Sequence, residues 1–287
     1  MFMKTEISGD IPLKGLVTFQ YMLHAIFEIC ASVIERCPIG SLEVRKIPSS
    51  IKTPILGRPS PFRFYQDLAC ISLLKQYCPK KCVILDIGCG SGNNEYQFRL
   101  AGIEGTYLGI DILAHHLWAE KCKNSANSKL VCRFKALSAE NMEHLGSFDC
   151  VFSSSCLEHI SNFYKAIQDI YSITKIGGIS FHAVPGPWSY LLYGAHGFRR
   201  FSASKIYCVF QHCGFDIYGL VGLGGLPTLL VHLIFITLPS KILKKELREE
   251  FPKIYSKCLS IAVKADRFVP RPQLGFVIIA GKKEVPL

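Results

Sequence analysis

The sequence predicts an α/β fold: a doubly wound seven-stranded sheet, mostly parallel with one antiparallel strand, with a helical extension before it and an insertion before its last strand. Three observations predict it. Short apolar runs alternate with helix-length amphipathic stretches from Cys82 to Leu220, and such strand–helix repetition gives a parallel sheet covered on both faces. The first run ends in an acid and a glycine-rich turn, "CVILDIGCGSGNN" (82–94), as a strand does where its carboxyl end opens onto a ligand. The last run, "LGFVIIAG" (274–281), is set apart from its predecessor by residues 221–272, which differ in composition.

The elements follow in order. Between residues 16 and 37, Leu16, Phe19, Leu23, Ile26, Phe27, Cys30, Val33, Ile34 and Cys37 recur at spacings of three and four, which predicts an amphipathic helix that Pro38 ends. Pro48, Pro54, Gly57 and Pro59 make 38–59 an extended connector. Residues 1–59 are therefore read as an extension and 60–287 as the main domain. Ser60 is an expected N-cap with Pro61 at the first helical position, and that helix runs to Tyr77. Strands are expected at Cys82–Ile87, Thr106–Ile110, Leu130–Phe134, Phe148–Ser153, Ile179–Val184 and Phe215–Leu220. Helices are expected at Asn93–Ala101, Ala114–Ala126, Glu140–Leu145, Phe163–Thr174 and Ser202–Cys213, and in the insertion near Tyr255–Phe268. Right-handed crossovers with the first strand central make the sheet doubly wound.

The net charge of +11 points to anionic partners: nucleic acid, a phosphate-bearing substrate or a membrane surface. Solubility alone is the plainer alternative. The 13 cysteines include no CxxC pair. Cys30, Cys70, Cys132 and Cys150 fall on apolar faces as small hydrophobes, which fits a reducing, cytoplasmic setting rather than a disulfide scaffold. Cys208, His212 and Cys213 share one amphipathic helix with no fourth ligand in evidence, so no metal site is expected. The start, "MFMKTEISGD", has acids where a secretory signal needs basic and apolar residues. The run Thr228–Leu238, between Pro227 and Pro239, would span about 17 Å as a helix against a hydrocarbon core of roughly 30 Å. It is expected to lie on a bilayer rather than cross one.

Gly88 and Gly90 can take positive φ and admit a ligand to the main chain, and the loop's N–H groups and the following helix start form a partly positive site. A dinucleotide loop spaces its glycines Gly-x-Gly-x-x-Gly. Here the third glycine comes one place early, at Gly92, and Asn93 takes the sixth position. Asp86, directly before the loop, would repel a pyrophosphate and suits an ammonium or sulfonium. Asp111, at the tip of "YLGIDIL", can accept hydrogen bonds from both hydroxyls of a ribose. The pattern asks for a nucleoside bearing positive charge. A second reading of Asp86 has it only hydrogen-bonding its own loop.

Four segments, "LDIGCGSG" (85–92), "GIDI" (109–112), "ALSAENM" (136–142) and "FDCVFSSSCLEHI" (148–160), resemble the class I S-adenosylmethionine-dependent methyltransferases, in their broad small-molecule branch. The resemblance spans about Val83–Leu220 and the last strand, and implies S-adenosyl-L-methionine as cofactor. It implies that Asp86 and the backbone of Gly88, Cys89, Gly90 and Gly92 bind the methionine end. It places Asp111 on the ribose, Ile112 against the adenine and Ala139 and Glu140 at the adenine edge, with Ser154 and Ser155 facing the methyl group. Glu140 also has the plain reading of an acid at a helix start.

Methyl transfer from a sulfonium is an in-line displacement that needs alignment, exclusion of water and a competent nucleophile. An alcohol or phenol needs a base, and His suits that work near neutral pH. His159 in "CLEHI" and His196 in "GPWSYLLYGAHGFRRF" both follow strand ends. Trp188, Tyr190 and Tyr193 precede His196 and suit a sugar ring or flat acceptor. Arg199 and Arg200 follow it and suit a carboxylate or phosphate. The alternative is that these residues anchor a connector. Amino-methylating nucleic-acid enzymes resemble one another in an Asn/Asp-Pro-Pro-Tyr/Phe motif where this chain has "SSSC", and cytosine-C5 enzymes use a Pro-Cys dipeptide absent here. Nucleic acid is therefore not an expected partner. The loop resembles that of bacterial surface-glycan and glycolipid methyltransferases. Lys241, Lys244, Lys245 and Arg248 after the apolar run of 226–239 make 226–248 suited to an anionic inner membrane face, with a core cap or dimer face as the alternative and the oligomeric state open. The sequence thus reads as a methyltransferase acting on oxygen of a small molecule or glycan, lipid-linked saccharides included. An RNA or protein methyltransferase, or a catalytically silent cofactor-binding subunit, are the alternatives.

Overall fold

The apolar runs form one sheet. The computed structural model describes residues 59–283 apart from Ala195, with Gly15, Phe19, Met22, Leu23, Ile26, Phe27, Cys30, Val44 and Arg45 as isolated positions before them. Strands β1 (Val44–Arg45), β2 (Lys81–Ile87), β3 (Glu104–Asp111), β4 (Leu130–Ala136), β5 (Phe148–Ser154), β6 (Thr174–Pro185), β7 (Asp216–Leu223) and β8 (Gly275–Gly281) lie in the order β1-β7-β8-β6-β5-β2-β3-β4. Only β8 runs antiparallel, between β6 and β7. The seven expected strands are present. The eighth, β1, adds two residues parallel to β7 at the sheet edge, in a stretch whose prolines read as connector. Strand order reverses beside β2, so the crevice at a topological switch point opens at its carboxyl end.

The helices are α1 (Pro61–Tyr77), α2 (Glu95–Ala101), α3 (Trp118–Ser125), α4 (Phe163–Ile173), α5 (Tyr190–Tyr193), α6 (Ala203–His212), α7 (Leu226–His232), α8 (Leu238–Ile242), α9 (Leu247–Glu250) and α10 (Pro252–Ala265). A π turn, Leu233–Thr237, joins α7 to α8. The expected caps form: Ser60 accepts from Arg63 N and Ser202 from Lys205 N. The helix expected at Glu140–Leu145 is instead a pair of turns, closed by Asn141 N on Ser138 O and Leu145 N on Met142 O. Buried Met142 pins the segment to the core, and Glu140 is drawn away to Ser161 and Asn162. Phe19, Met22, Leu23, Ile26, Phe27 and Cys30 are helical and exposed; the rest of the expected N-terminal helix lies outside the described residues.

Alternation along the central strands splits the core in two. Cys82 and Ile84 join Tyr107, Phe152 and Phe181 beneath α1, whose Phe62, Tyr65, Ala69, Cys70 and Leu74 complete that layer. Leu85 and Ile87 turn to the other face, where Ile167 and Ile170 of α4 and Ile206 and Phe210 of α6 meet Val151 and Ile278. Asp86 therefore shares the α1 face. Cys70, Cys82, Cys89, Cys132 and Cys150 are buried free thiols, as small hydrophobes should be. Cys208 differs from that expectation in being disulfide-bonded, and His212 Nδ1 lies 2.6 Å from its carbonyl oxygen.

The insertion between β7 and β8 carries α7–α10 and is latched to α1 by a buried carboxylate. Asp266 Oδ2 accepts from Tyr65 Oη at 2.6 Å and Thr228 Oγ1 at 2.9 Å, and its Oδ1 from Thr228 N at 3.2 Å. Burial raises the Asp266 pKa while these donors oppose the rise. Removing the phenol leaves the carboxylate short of a donor, which costs about 1–3 kcal/mol. Tyr65→Phe is expected to lower stability by that amount in urea titration. An unchanged midpoint would show that the latch contributes nothing.

Candidate active site

The site is built where β2, β3 and β5 end. Gly88 (φ 69°), Gly90 (φ 52°) and Gly92 (φ 80°) all occupy the left-handed region. A side chain on Gly88 would collide with Cys156 Sγ, and one on Gly92 with the Phe134 ring, whereas the space beside Gly90 is open to 4 Å. That opening is where a ligand can approach the main chain. The loop is fixed from several directions. Gly88 N and Cys89 N both donate to Ile110 O, at 2.9 and 3.0 Å. Gly90 N donates to Asp111 Oδ2 at 2.8 Å, and Trp118 Nε1 to Gly90 O at 2.8 Å. Trp118 stacks on Phe134 at 5.4 Å.

Asp86 is fully buried. Its Oδ2 accepts from Tyr107 Oη and, at 3.1 Å, from Asn94 Nδ2. Its Oδ1 has no partner among the described residues. Burial pushes its carboxyl up to about 7, with the Tyr107 and Asn94 hydrogen bonds and the Arg63 charge opposing. Both sequence readings of this acid have a footing: Oδ2 holds the loop and Oδ1 is left over. Asp111 also accepts from Leu113 N at 3.4 Å, and Ile112 beside it is half-buried.

Several contributors are additional to those expected. Arg63 Nη2 donates to Asn94 Oδ1 at 2.8 Å, Nη1 to Ser154 Oγ at 3.2 Å, and Nε pairs with Asp67 at 3.0 Å. Gln66 Nε2 also donates to Ser154 Oγ. The first turns of α1 thus clamp the end of the glycine loop to the tip of β5. The available signal was the polar cluster Arg63, Gln66 and Asp67 inside an otherwise apolar helix start. Ser155, next along, holds φ 53°, an uncommon strain for a non-glycine residue that tends to sit at functional sites.

Ala139 and Glu140 lie half-buried beyond β4. Glu140 Oε1 accepts from Ser161 Oγ at 2.7 Å and Asn162 N at 3.0 Å, so the carboxylate supports the start of α4. The histidines come together: the rings of His159 and His196 meet edge to face at 4.8 Å. Both arginines are engaged with backbone. Arg200 is buried and donates to His196 O, Arg199 O and Gly194 O. Arg199 donates to Ile160 O and Ser161 O and lies over the Phe163 ring. These contacts shape the loop that carries His196. Trp188 is exposed and Tyr190 half-buried.

Tyr193 ends a directed chain of hydrogen bonds. Thr237 Oγ1 donates to Leu192 O at 3.3 Å, which leaves its oxygen to accept from His232 Nδ1 at 3.1 Å. His232 Nε2 then accepts from Tyr193 Oη at 3.2 Å. Burial depresses the His232 pKa to about 4, so the ring is neutral near pH 7, as this tautomer requires. Tyr193 Oη also lies 3.4 Å from Ser60 Oγ, which ties the insertion to the start of α1.

Residues 79–186 match the family described as a methyltransferase domain. The chain is similar to the ubiquinone biosynthesis O-methyltransferase of Rhodopseudomonas palustris (strain BisB18), 27% identical over 130 residues, 43% of this chain and 50% of that one. It is also similar to the mitochondrial ubiquinone biosynthesis O-methyltransferase of Rattus norvegicus, 34% identical over 103 residues, 34% of this chain and 29% of that one. The match thus spans half or less of these curated relatives. The 1,6-didemethyltoxoflavin-N1-methyltransferase of Burkholderia thailandensis, solved with 1,6-didemethyltoxoflavin and S-adenosylhomocysteine, shares the fold at TM-score 0.50 and 14% identity, over 96% of this chain and 93% of that one. The sheet order and the crevice define the class I, Rossmann-like fold. The particular likeness, over residues 79–186, is to a methyltransferase domain, and the cofactor is S-adenosylmethionine. The cradle fits that cofactor: open space beside Gly90, a buried Asp86 oxygen lacking a donor, and Asp111 at the tip of β3.

The raised Asp86 pKa has a defined consequence for stability. Unfolded, the carboxyl ionises near the ordinary value of about 3.9; folded, at about 7. Its contribution is full below the unfolded pKa and is lost as pH rises through the folded one. Wild-type melting temperature should therefore fall relative to Asp86→Asn between about pH 4 and 7. Parallel curves would contradict the assignment.

Proposed function

We propose that the protein is an S-adenosylmethionine-dependent methyltransferase that methylates an oxygen of a small molecule or saccharide, with residues 60–287 as the catalytic domain and 1–59 as an extension. The observation that carries the reading is the loop between Asp86 and Asn94, open at Gly90 and bonded to Asp111. Oxygen as the acceptor atom is supported by the two relatives' names. A lipid-linked acceptor at an anionic membrane face belongs to the same proposal, supported by the apolar and basic insertion.

When bound, the cofactor supplies a methyl group on a cationic sulfur. Asp86 Oδ1 and the Gly88–Gly92 backbone hold its amino-acid end, Asp111 its ribose, and Ile112, Ala139 and Glu140 flank its base. Ser154, oriented by Arg63 and Gln66, and Ser155 border the methyl side. Trp188, Tyr190 and Tyr193 provide aromatic faces for the acceptor, and their bulk excludes water from the mouth. His196 is the candidate base for the acceptor hydroxyl. His159, 4.8 Å away ring to ring, orients it or shares the proton.

Calorimetry with S-adenosylmethionine should show binding that Asp111→Ala weakens at least tenfold, about 1.4 kcal/mol. Affinity should rise with pH through about 7, because ionised Asp86 attracts the ammonium. No binding by the wild type would end the reading. Extracts incubated with isotope-labelled cofactor should yield a product heavier by one methylene. With that acceptor, His196→Asn should lower kcat by about 10²–10⁴ and leave cofactor affinity unchanged. A wild-type rate would remove His196 as the base.

A further inference from the structure

The insertion carries a stripe of large apolar side chains pointing at solvent. Leu226, Leu230, Ile234, Leu238 and Ile242 are all exposed, Ile242 by 72%, and they follow one another at intervals of four. In an ideal α-helix each such step drifts by about 40°. The π turn at Leu233–Thr237, closed by wider i→i+5 bonds, takes up part of that drift and keeps the row on one side. The opposite side is already used: Leu229, His232, Ile236 and Thr237 are buried. The exposed row is therefore a second apolar face, additional to the one that holds the helix on the domain.

Charge and position narrow what fits it. Residues 224–274 hold nine Lys and Arg against four Asp and Glu, a net +5 of the chain's +11. Lys241, Lys244 and Lys245 stand exposed at the end of the row, beside exposed Leu243. A protein partner of ordinary composition does not call for an apolar strip edged by lysines, whereas an anionic bilayer does, with acyl chains beneath and phosphates at the rim. Among the described residues no helix is long and apolar enough to cross a membrane. The row starts where β7 ends, and β7 runs parallel to β6, β5 and β2 through its pairing with β8, so it starts at the same sheet edge as the glycine loop. Thr237 and His232 tie it to Leu192 and Tyr193, beside exposed Trp188 and Leu191.

We infer that Leu226, Leu230, Ile234, Leu238 and Ile242, with Lys241, Lys244 and Lys245, form a docking face for an anionic lipid bilayer, and that it presents the mouth of the site to an acceptor carried in that bilayer. The lipid-borne acceptor rests on the methyltransferase reading; the docking does not.

The test is flotation of the full chain with phosphatidylcholine vesicles, with and without phosphatidylglycerol. Binding is expected only with the anionic lipid and should weaken with salt. The pair Ile234→Glu and Leu238→Glu should lower partitioning at least tenfold, and Lys244→Gln with Lys245→Gln several-fold. Calorimetric cofactor affinity should stay unchanged in both. Ile242→Glu, at the most exposed position of the row, replaces the double variant should that one fail to fold. A wild-type chain that stays unbound at low salt overturns the inference. So does sedimentation showing a dimer that the glutamates dissolve while vesicles remain unbound, which assigns the face to a second copy. A wild type that binds cofactor but does not float removes the docking face alone; a wild type that floats without binding cofactor removes the methyltransferase reading alone.

Discussion

A carboxylate taken wholly out of water at the centre of the sheet is the constraint on which the rest depends. Asp86 sits where strand order reverses, and burying its charge is unfavourable unless neighbours compensate. Those neighbours come from every side: Tyr107 from β3, Asn94 from the end of the loop, and the Arg63 charge from α1. The glycine loop, the central strands and the helix before them consequently form one unit. Displacing α1 would withdraw the guanidinium, release Asn94 and loosen Ser154 together. Compensation stops one atom short, at Oδ1, and that incompleteness makes the place suited to a cationic ligand.

Much of this was legible in the sequence, because it rests on local rules. Glycines at 88, 90 and 92 report backbone conformation directly, and all three have positive φ. The caps Ser60 and Ser202 each bond a residue three positions on, and the acids at strand tips end apolar runs that are themselves visible. The rest depends on distant chain segments. Arg63 and Ser154 are 91 residues apart, and spacing does not reveal that α1 crosses the end of β5. Strand β1 was hidden because two residues carry no periodicity. The turns at 140–145 read as helix because an acid suited to a helix start is visible locally, while the pull of Ser161 and Asn162 on Glu140 is not.

The segment from Trp188 to Arg200 shows how one composition divides its labour. Its guanidiniums, which in isolation suggest anion recognition, are spent on carbonyl oxygens that a loop without regular structure leaves exposed. Arg200 alone reaches three of them. Each carbonyl so occupied fixes a stretch of backbone, and one of those stretches carries His196. Rigidity supplied by the arginines is what allows a loop histidine to keep a defined distance from His159, which sits on a separate turn after β5.

The excursion between β7 and β8 leaves and re-enters the sheet at almost one point, with Leu274 N donating to Leu223 O at 2.8 Å. To the strands, everything between is equivalent to the bend of a hairpin. Such an appendage can lengthen, shrink or be exchanged over generations while the nucleoside cradle keeps its shape. A lineage built on this plan is free to change its clientele without relearning its chemistry.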